Sequence, residues 1–288
     1  MAGNGIFINR KGTAIDMTVR LVTDEKIAET SSKGNQEKWY DNALDCWYKL
    51  DQFGYEALAE TLVSVLLEKS NIETDTPFTF VRYSMEKLSV RGRERNGCAS
   101  RNFLKPGQSL ITVNRLLSNH FGIPLKQKLL RLPSVKKRIA YLAEATAEYT
   151  GLPEFPRYLT VMFEVDALFC NDDRHLNNIA VIKQEETYDY CPIFDNGAGL
   201  LSNTQISQMD ISPKALLAVL HARPFNTTFT RQANSARSLY GKQLVTPELS
   251  AAEIRDTLRP LLDYYAQRDR GIIADRVTEC ILLRQKAL

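Results

Sequence analysis

The stretch CNDDRHLNNIAV, residues 170–181, decides how this chain should fold. It follows residues 156–170, whose apolar side chains cover most of a helical surface and therefore predict a buried helix. It leads into two short strands, predicted over residues 179–182 and 188–194, which would form a hairpin. Seven of the eight residues from 171 to 178 are polar. Such a cluster between buried elements predicts a functional loop.

This region can supply what phosphoryl transfer to a hydroxyl requires. A carboxylate must orient the hydroxyl and accept its proton, and hard oxygen ligands must hold Mg²⁺ against the phosphates. Asp173 fits the base, Asn178 fits one metal ligand, and Asp195, just after the hairpin, fits the second. Gly197 is expected to let the chain turn sharply away. Asp-x-x-x-x-Asn alone is weak, because turns favour both residues, but the full order is specific.

The rest of the chain divides into a strand-rich part and a helical part. The pattern predicts strands over residues 15–22, 46–50 and 78–83, a helix over 55–69, and an irregular polar segment over 86–108. Further helices are predicted over 135–149, 213–221, 251–267 and 272–285. This segregation favours an α+β, two-lobed fold with an N-terminal lobe of residues 1–107 and a C-terminal lobe of residues 108–288. A cleft between the lobes is the expected ligand site.

The N-terminal part also contains a candidate phosphate-binding lysine. A protein-kinase-like site needs a lysine on a strand and a glutamate on the following helix to hold it. Lys49 lies in a predicted strand, and Glu56 and Glu60 are one helical turn apart, so either could reach it. We assign Glu60 to this role. The alternative is that Lys49 extends from an edge strand into solvent and that the glutamate is solvated.

Composition and charge exclude several other classes of protein. The chain has 288 residues, 44% hydrophobic and 25% charged, which is typical of a globular protein with a sizeable core. Its net charge of +3, from 37 Lys and Arg against 34 Asp and Glu, gives no reason to expect direct nucleic-acid binding. The basic runs at residues 91–95 and 136–138 are interpreted as solvated surface.

Cysteine usage and hydropathy predict a cytoplasmic protein. The five cysteines are widely spread and form no Cys-x-x-Cys pair, which disfavours a disulfide framework and a zinc site. The N-terminus lacks a secretory signal, and no apolar stretch is long enough to span a bilayer. Export as an effector, by a route that leaves no such signal, stays open.

The motifs resemble those of the HipA-like kinases, including the HipT-like and CtkA-like bacterial serine/threonine kinases. Asp-Arg-His-x-x-Asn at residues 173–178 is similar to the catalytic loop of the related phosphatidylinositol 3- and 4-kinases, and Pro-Ile-Phe-Asp at 192–195 looks like the CtkA pattern. Gly-Asn-Gln-Glu-Lys at 34–38 resembles the HipA phosphate loop. The resemblance covers roughly residues 30–200, and it does not include the extra N-terminal subdomain of full-length HipA.

This resemblance implies a two-lobed kinase fold, with ATP and Mg²⁺ as cofactors. It implies that Gly34, Gln36 and Lys38 contact phosphate, that His175 helps to stabilise the γ-phosphate, and that Ser31 is an autophosphorylation site. The expected partner is a protein substrate, such as a translation-related enzyme or a host protein. An antitoxin partner is also implied, because the family includes toxins of toxin–antitoxin systems.

Three alternatives stay open on the sequence alone. A small-molecule or lipid kinase of the same fold would use the same residues. A pseudokinase that only binds protein would have the fold without the activity. A calcium loop is disfavoured, because residues 171–178 lack the glycine and the terminal glutamate of an EF-hand.

Overall fold

The structure is a computed structural model that describes residues 37–288, together with the strands Gly3–Ile8 and Ala14–Val22. The larger of its two sheets is mixed and has six strands in the order β1-β2-β5-β6-β4-β3, in which β2 and β5 run parallel. Its strands are β1 (Gly3–Ile8), β2 (Ala14–Val22), β3 (Lys38–Asp41), β4 (Cys46–Leu50), β5 (Ser84–Val90) and β6 (Arg93–Arg101).

The β5–β6 hairpin corrects the prediction that residues 86–108 are irregular. Val90 pairs with Arg93, so the loop is the two residues Arg91 and Gly92, with φ of 51° and 71°. Positive φ at both positions defines a type I′ turn, which usually carries Asn-Gly rather than Arg-Gly. Leu88 and Val90 pack into one apolar cluster, while Met85 and Cys98, which face the other side of the hairpin, pack into another. The sequence therefore shows no simple alternation of apolar and polar residues here, and the hairpin also lacks its usual turn signal.

Residues 78–83 were predicted as a strand, and this prediction is wrong. The segment is extended but pairs with the rest of the protein only through a parallel bridge between Phe80 and Ile193. The backbone nitrogen of Val81 donates to the carbonyl of Ile193 at 2.9 Å, and the nitrogen of Ile193 donates to Thr79 at 2.8 Å. The segment therefore lies beside Ile193, which is two residues before Asp195 in the chain.

The second sheet has three antiparallel strands, β7 (Gln108–Thr112), β8 (Ala180–Gln184) and β9 (Thr187–Tyr190), in that order. The predicted hairpin is thus confirmed as β8 and β9, and β7 extends it. The helices are α1 (Glu56–Leu67), α2 (Ile72–Asp75), α3 (Val113–Phe121), α4 (Leu125–Leu130), α5 (Val135–Thr150), α6 (Phe155–Phe169), α7 (Pro213–Val219), α8 (Phe229–Tyr240), α9 (Ala251–Leu262) and α10 (Gln267–Ala287).

The structure confirms the five predicted helices of the second half and adds others. The predicted α5, α6, α7, α9 and α10 are present, with α10 beginning five residues before the predicted start. The sequence did not predict α3, α4 or α8. The first two are short, and α8 buries small alanines on its inner face, so its helical periodicity is weak.

The loop of residues 171–178 follows a helix that lies in the core of the protein. All but two residues of α6 are buried, as predicted, and α1 is buried on nearly every side as well. One continuous apolar cluster includes residues of α1, β5, β6 and the helices of the second half. The α+β class is confirmed, and the division after residue 107 falls between the two sheets but stays a prediction as a domain boundary. Among the described residues, no helix could cross a membrane.

Candidate active site

Lys49 joins the large sheet to the segment that follows the β8–β9 hairpin. Its Nζ lies 2.5 Å from Glu60 Oε1 and 2.7 Å from Asp195 Oδ1. The other oxygen of Glu60 accepts a hydrogen bond from the backbone nitrogen of Asn196 at 2.8 Å. Residues separated by 146 positions in the chain thus meet at one ammonium group. The structure brings together Lys49, Glu60 and Asp195, as the sequence predicted.

Glu56, the other candidate partner of Lys49, has a different role. Its carboxylate accepts hydrogen bonds from the backbone nitrogens of Gln52, Phe53 and Gly54, which precede α1. A carboxylate at this position satisfies unpaired donors and interacts favourably with the helix N-terminus. The structure therefore selects Glu60 as the partner of Lys49, while Glu56 orders the loop that precedes α1.

Lys38 lies directly opposite Lys49 on the neighbouring strand. Burial lowers the pKa of Lys38 and Lys49 lowers it further, whereas the negative charges of Asp195 and Glu60 oppose that change. Like charges at facing positions of a sheet are destabilising, and here Glu60 and Asp195 supply opposite charges nearby. Lys38 therefore adds a second positive charge beside the cluster of Lys49, Glu60 and Asp195.

The loop of residues 171–178, the candidate catalytic loop, brings Asp173 and Asn178 into direct contact. The side-chain nitrogen of Asn178 donates to the backbone oxygen of Asp173 at 3.0 Å. The amide oxygen of Asn178 has no hydrogen-bond partner among the described contacts, so it remains available to a cation. His175 Nε2 lies 4.0 Å from Asp173 Oδ2, and its Nδ1 is buried without a described partner. Half of the Asp173 side chain is exposed, as a base that meets an external hydroxyl requires.

Arg174 connects the loop to α6 and to the segment around Asp195, a role that the sequence did not predict. Its guanidinium is fully buried and pairs with Asp166 of α6 at 3.0 Å. It also donates to the carbonyl of Phe194 at 2.5 Å and to the side-chain oxygen of Asn196 at 2.7 Å. A fork of five donors can satisfy several acceptors at once, which lysine cannot do. Arg174 therefore fixes Asp195, between Phe194 and Asn196, relative to the catalytic loop.

Asn171 reinforces this arrangement. Its side-chain nitrogen donates to Asp166 at 3.1 Å and to the backbone oxygen of Asp195 at 3.0 Å, while its oxygen accepts from the nitrogen of Asp173 at 3.2 Å. One signal for this network was visible in the sequence. Asp166 is a carboxylate within a helix predicted to be buried, and such a group requires a partner.

Asp195 and Asp173 have pKa values that are shifted in opposite directions. Burial alone would raise the pKa of Asp195, but the charge of Lys49, with that of Lys38, outweighs it and holds the pKa well below its usual range. Burial raises the pKa of Asp173, His175 opposes the rise, and the negative charge of Asp195 adds to it. Asp195 is thus a permanent anion suited to a metal, and Asp173 is suited to accept a proton.

Asp172, which precedes the predicted base, is also perturbed. Burial, followed by the charge of Asp173, raises its pKa to about 6. The sequence alone did not distinguish Asp172 from Asp173, the predicted base.

The backbone after the hairpin is shaped by close approach to α1. Asp195 has φ of 63°, a left-handed conformation that a non-glycine residue adopts at a cost, and such residues cluster at functional sites. The chain turns at Gly197, as expected: the backbone nitrogen of Gly199 donates to the carbonyl of Asn196 at 2.9 Å, although Gly197 does not have a positive φ. A Cβ at Gly197 would lie 3.3 Å from Cγ and Oε1 of Glu60. Glycine at this position therefore allows close contact with the glutamate that holds Lys49.

The donor set fits magnesium only together with a nucleotide. Among residues 37–288 and the two N-terminal strands, no group of three His, Cys, Asp or Glu residues could hold a metal alone. Asp195, 28% exposed, and the amide oxygen of Asn178 would supply two hard oxygen ligands to such an ion. Mg²⁺ at kinase-type sites takes its remaining ligands from phosphate and water. The remaining predicted residues, Ser31, Gly34 and Gln36, lie outside the described residues.

The fold is kinase-like. The structure is similar to the crystal structure of the proinflammatory kinase CtkA of Helicobacter pylori, with a TM-score of 0.58 and 13% sequence identity. The match covers 89% of this chain and 92% of CtkA. The predicted resemblance to HipA-like and CtkA-like kinases is thus confirmed at the level of the fold.

A second similar structure is HipA of the Shewanella oneidensis toxin–antitoxin system, solved with HipB and operator DNA. Its TM-score is 0.46 at 12% identity, and the match covers 88% of this chain and 64% of that chain. No protein-family model and no curated protein sequence matches this chain.

Proposed function

We propose that this protein is an ATP- and Mg²⁺-dependent phosphotransferase that acts on serine or threonine hydroxyls of proteins. The observation that carries the proposal is the convergence on Lys49 of Glu60 and Asp195, beside a loop that presents Asp173 and Asn178. These are the positions that a kinase uses for phosphate, metal and acceptor. The similarity to CtkA supports the fold, and the chemistry rests on these side chains.

Each residue of the site has a role in this proposal. Lys49, held by Glu60, contacts the nucleotide phosphates, and Lys38 adds a second positive charge. Asn178 and Asp195 hold the metal, which supplies charge stabilisation at the phosphates when it is bound. Asp173 orients the acceptor hydroxyl and accepts its proton. His175, by analogy to the lipid kinases, stabilises charge on the transferred group.

The decisive experiment is phosphoryl transfer from γ-labelled ATP, with and without Mg²⁺. Asp173→Asn should reduce transfer on the order of 1,000-fold or more, because it removes both the base and a negative charge, while ATP binding should largely persist. Asp210→Asn, a change of the same type at an exposed carboxylate in the loop before α7, is the matched control and should retain full activity. Intact turnover in Asp173→Asn would remove this residue from the mechanism.

The finer parts of the proposal have their own tests. Mass spectrometry at Ser31 tests autophosphorylation, and acceptor profiling separates a protein kinase from a small-molecule or lipid kinase. Growth arrest by the wild type but not by Asp173→Asn would support a toxin, for which the sequence resemblance also implies an antitoxin partner. Absence of both ATP binding and transfer would favour the pseudokinase alternative.

A further inference from the structure

One segment of the chain has an unusually one-sided charge. Residues 95–143 contain no Asp or Glu, although the whole chain has 34 of them. The same 49 residues carry ten positive charges: Arg95, Arg101, Lys105, Arg115, Lys126, Lys128, Arg131, Lys136, Lys137 and Arg138. A net charge of +3 for the chain therefore conceals a strongly basic region.

Part of this positive charge lies on α4, on α5 and in the turn between them. Lys126, Arg131, Lys136 and Lys137 are all exposed there, and Leu130 beside them is 61% exposed. We call these five residues the basic corner. Helices α3, α4 and α5 pack against one another, so the corner is part of a built surface rather than a loose loop.

The four cations of the basic corner are not neutralised by nearby carboxylates, as some other surface cations are. None of them makes an ion pair with the described part of the chain, whereas exposed Arg255 and Arg259 each pair with an aspartate. Two neighbouring cations are used internally instead. Lys128 Nζ lies 3.4 Å from the centre of the Phe121 ring, and Arg138 Nε donates to the carbonyl of Leu132 at 3.0 Å.

Two of these cations also lie at the unfavourable end of a helix. Lys136 and Lys137 are in the first turn of α5, which contains no acidic residue. The helix macrodipole is positive at this end, so cations here are destabilising unless an external anion is present. The arrangement therefore favours a negatively charged partner at this surface.

The exposed leucine indicates which kind of anionic partner fits. The phosphates of a nucleic acid, or the carboxylates of an acidic protein segment, would contact the cations but gain little from Leu130. An anionic membrane would interact favourably with both the cations and Leu130. Its headgroups attract the cations, and an apolar side chain can enter the interface. A cluster of four to eight Lys and Arg is the usual size of such a contact.

We propose that the basic corner binds the surface of membranes that contain anionic lipids. The binding is peripheral, reversible and independent of phosphoryl transfer. The net charge of +3 for the whole chain does not reveal this surface, because the acidic residues that balance the basic corner lie in other parts of the sequence.

The test is co-sedimentation of the full chain with vesicles. One set contains phosphatidylcholine alone, and the other is an equimolar mixture of phosphatidylcholine and phosphatidylserine. The wild type should bind the mixed vesicles and not the neutral ones, and the binding should weaken as salt is added. A corner variant combining K126Q, R131Q, K136Q and K137Q should bind on the order of 100-fold more weakly. Leu130→Ser should weaken binding several-fold.

A matched control removes the same charge elsewhere. The variant K69Q/K214Q/R231Q/K286Q changes four exposed cations outside the basic corner and should bind the mixed vesicles almost as the wild type does. Asp173→Asn should bind normally, which keeps this test separate from that of the proposed activity. Circular dichroism should show that every variant is folded.

Several outcomes would overturn the proposal. These are equal binding to both vesicle types, no binding to either, or equal losses in the corner and control variants. Tighter binding to duplex DNA or to polyglutamate than to the mixed vesicles, lost in the corner variant, would assign the surface to nucleic acid or to an acidic protein instead.

Discussion

Arg174 shows how much of the site depends on one buried side chain. It pairs with Asp166 and donates to the backbone oxygen of Asn178, at the end of the loop, and to that of Phe194, just before Asp195. Breaking a buried ion pair leaves an uncompensated charge, and this costs far more than breaking an exposed one. The stability of the loop and the geometry of the candidate metal site should therefore change together.

Arg174→Met is expected to lower the free energy of unfolding by about 3–5 kcal/mol, because Asp166 would remain buried without its cation. Arg174→Lys should recover only part of this loss, since an ammonium cannot reproduce the fork. Arg82→Met, which removes an exposed arginine that pairs with Glu68 and Glu73, should cost less than about 1 kcal/mol. Urea unfolding measures all three, and equal losses at the two arginines would contradict the prediction.

At the scale of elements, the position of Lys49 depends on how β4 packs against β6. Leu50, the next residue of β4, pairs with Gly97 across these strands. A Cβ at Gly97 would lie 2.4 Å from the carbonyl oxygen of Lys49 and 2.3 Å from Cδ1 of Leu88. The first of these atoms is backbone, so the strand itself would have to move. The close packing of the hairpin thus positions the lysine that meets Glu60.

Gly97→Ala should destabilise the protein by about 1–3 kcal/mol, as expected for an overpacked core, and should also reduce ATP binding by displacing Lys49. Gly271→Ala is the control, because nothing lies within 4 Å of a Cβ at that position in α10. It should instead stabilise the protein by up to about 1 kcal/mol. Thermal unfolding and nucleotide titration give the two readouts, and a stable Gly97→Ala protein with normal ATP binding would disprove the argument.

At the scale of the whole molecule, Tyr264 and Tyr265, between α9 and α10, form hydrogen bonds with the large sheet and its neighbouring loop. Tyr265 donates its hydroxyl to Asp51 at 2.6 Å, and the other oxygen of Asp51 accepts from the nitrogen of Ala57 at 2.6 Å. Lys87 of β5 donates to the carbonyl of Tyr264 at 2.9 Å. These contacts hold the strand of Lys49, the helix of Glu60 and the last third of the chain in one arrangement.

Asp51 should make stability depend on pH. Burial raises its pKa from 3.8 to about 7, so between these values the folded protein holds a proton that the unfolded chain has released. Stability due to this group is therefore present at low pH and is lost as pH rises towards 7. Asp51→Asn should remove this dependence, so the variant minus wild-type difference in unfolding free energy should shift by a few kcal/mol across this range.

Unfolding measured at intervals from pH 4 to pH 8 tests this expectation. Subtracting the two curves cancels other titrating groups, among them Asp172. A difference that stays constant with pH would show that the pKa of Asp51 is not raised in the folded protein.

The sequence by itself determined the central element and the order of the candidate site. The apolar surface of α6, the polar loop with Asp173 and Asn178, the hairpin and Asp195 are local patterns, because each depends on spacing within a short segment. The same reasoning placed Lys49 on a strand and Glu60 on the next helix. These local patterns show which residues could come into contact in the folded protein.

Only the tertiary structure decided which of those residues are neighbours. It selected Glu60 over Glu56 by joining Glu60 to Asn196, and it gave Arg174 its partners at Phe194 and Asn196. Both depend on contacts between segments that a short window of sequence does not contain together. Burial and pairing, rather than local propensity, therefore set the charges of the site.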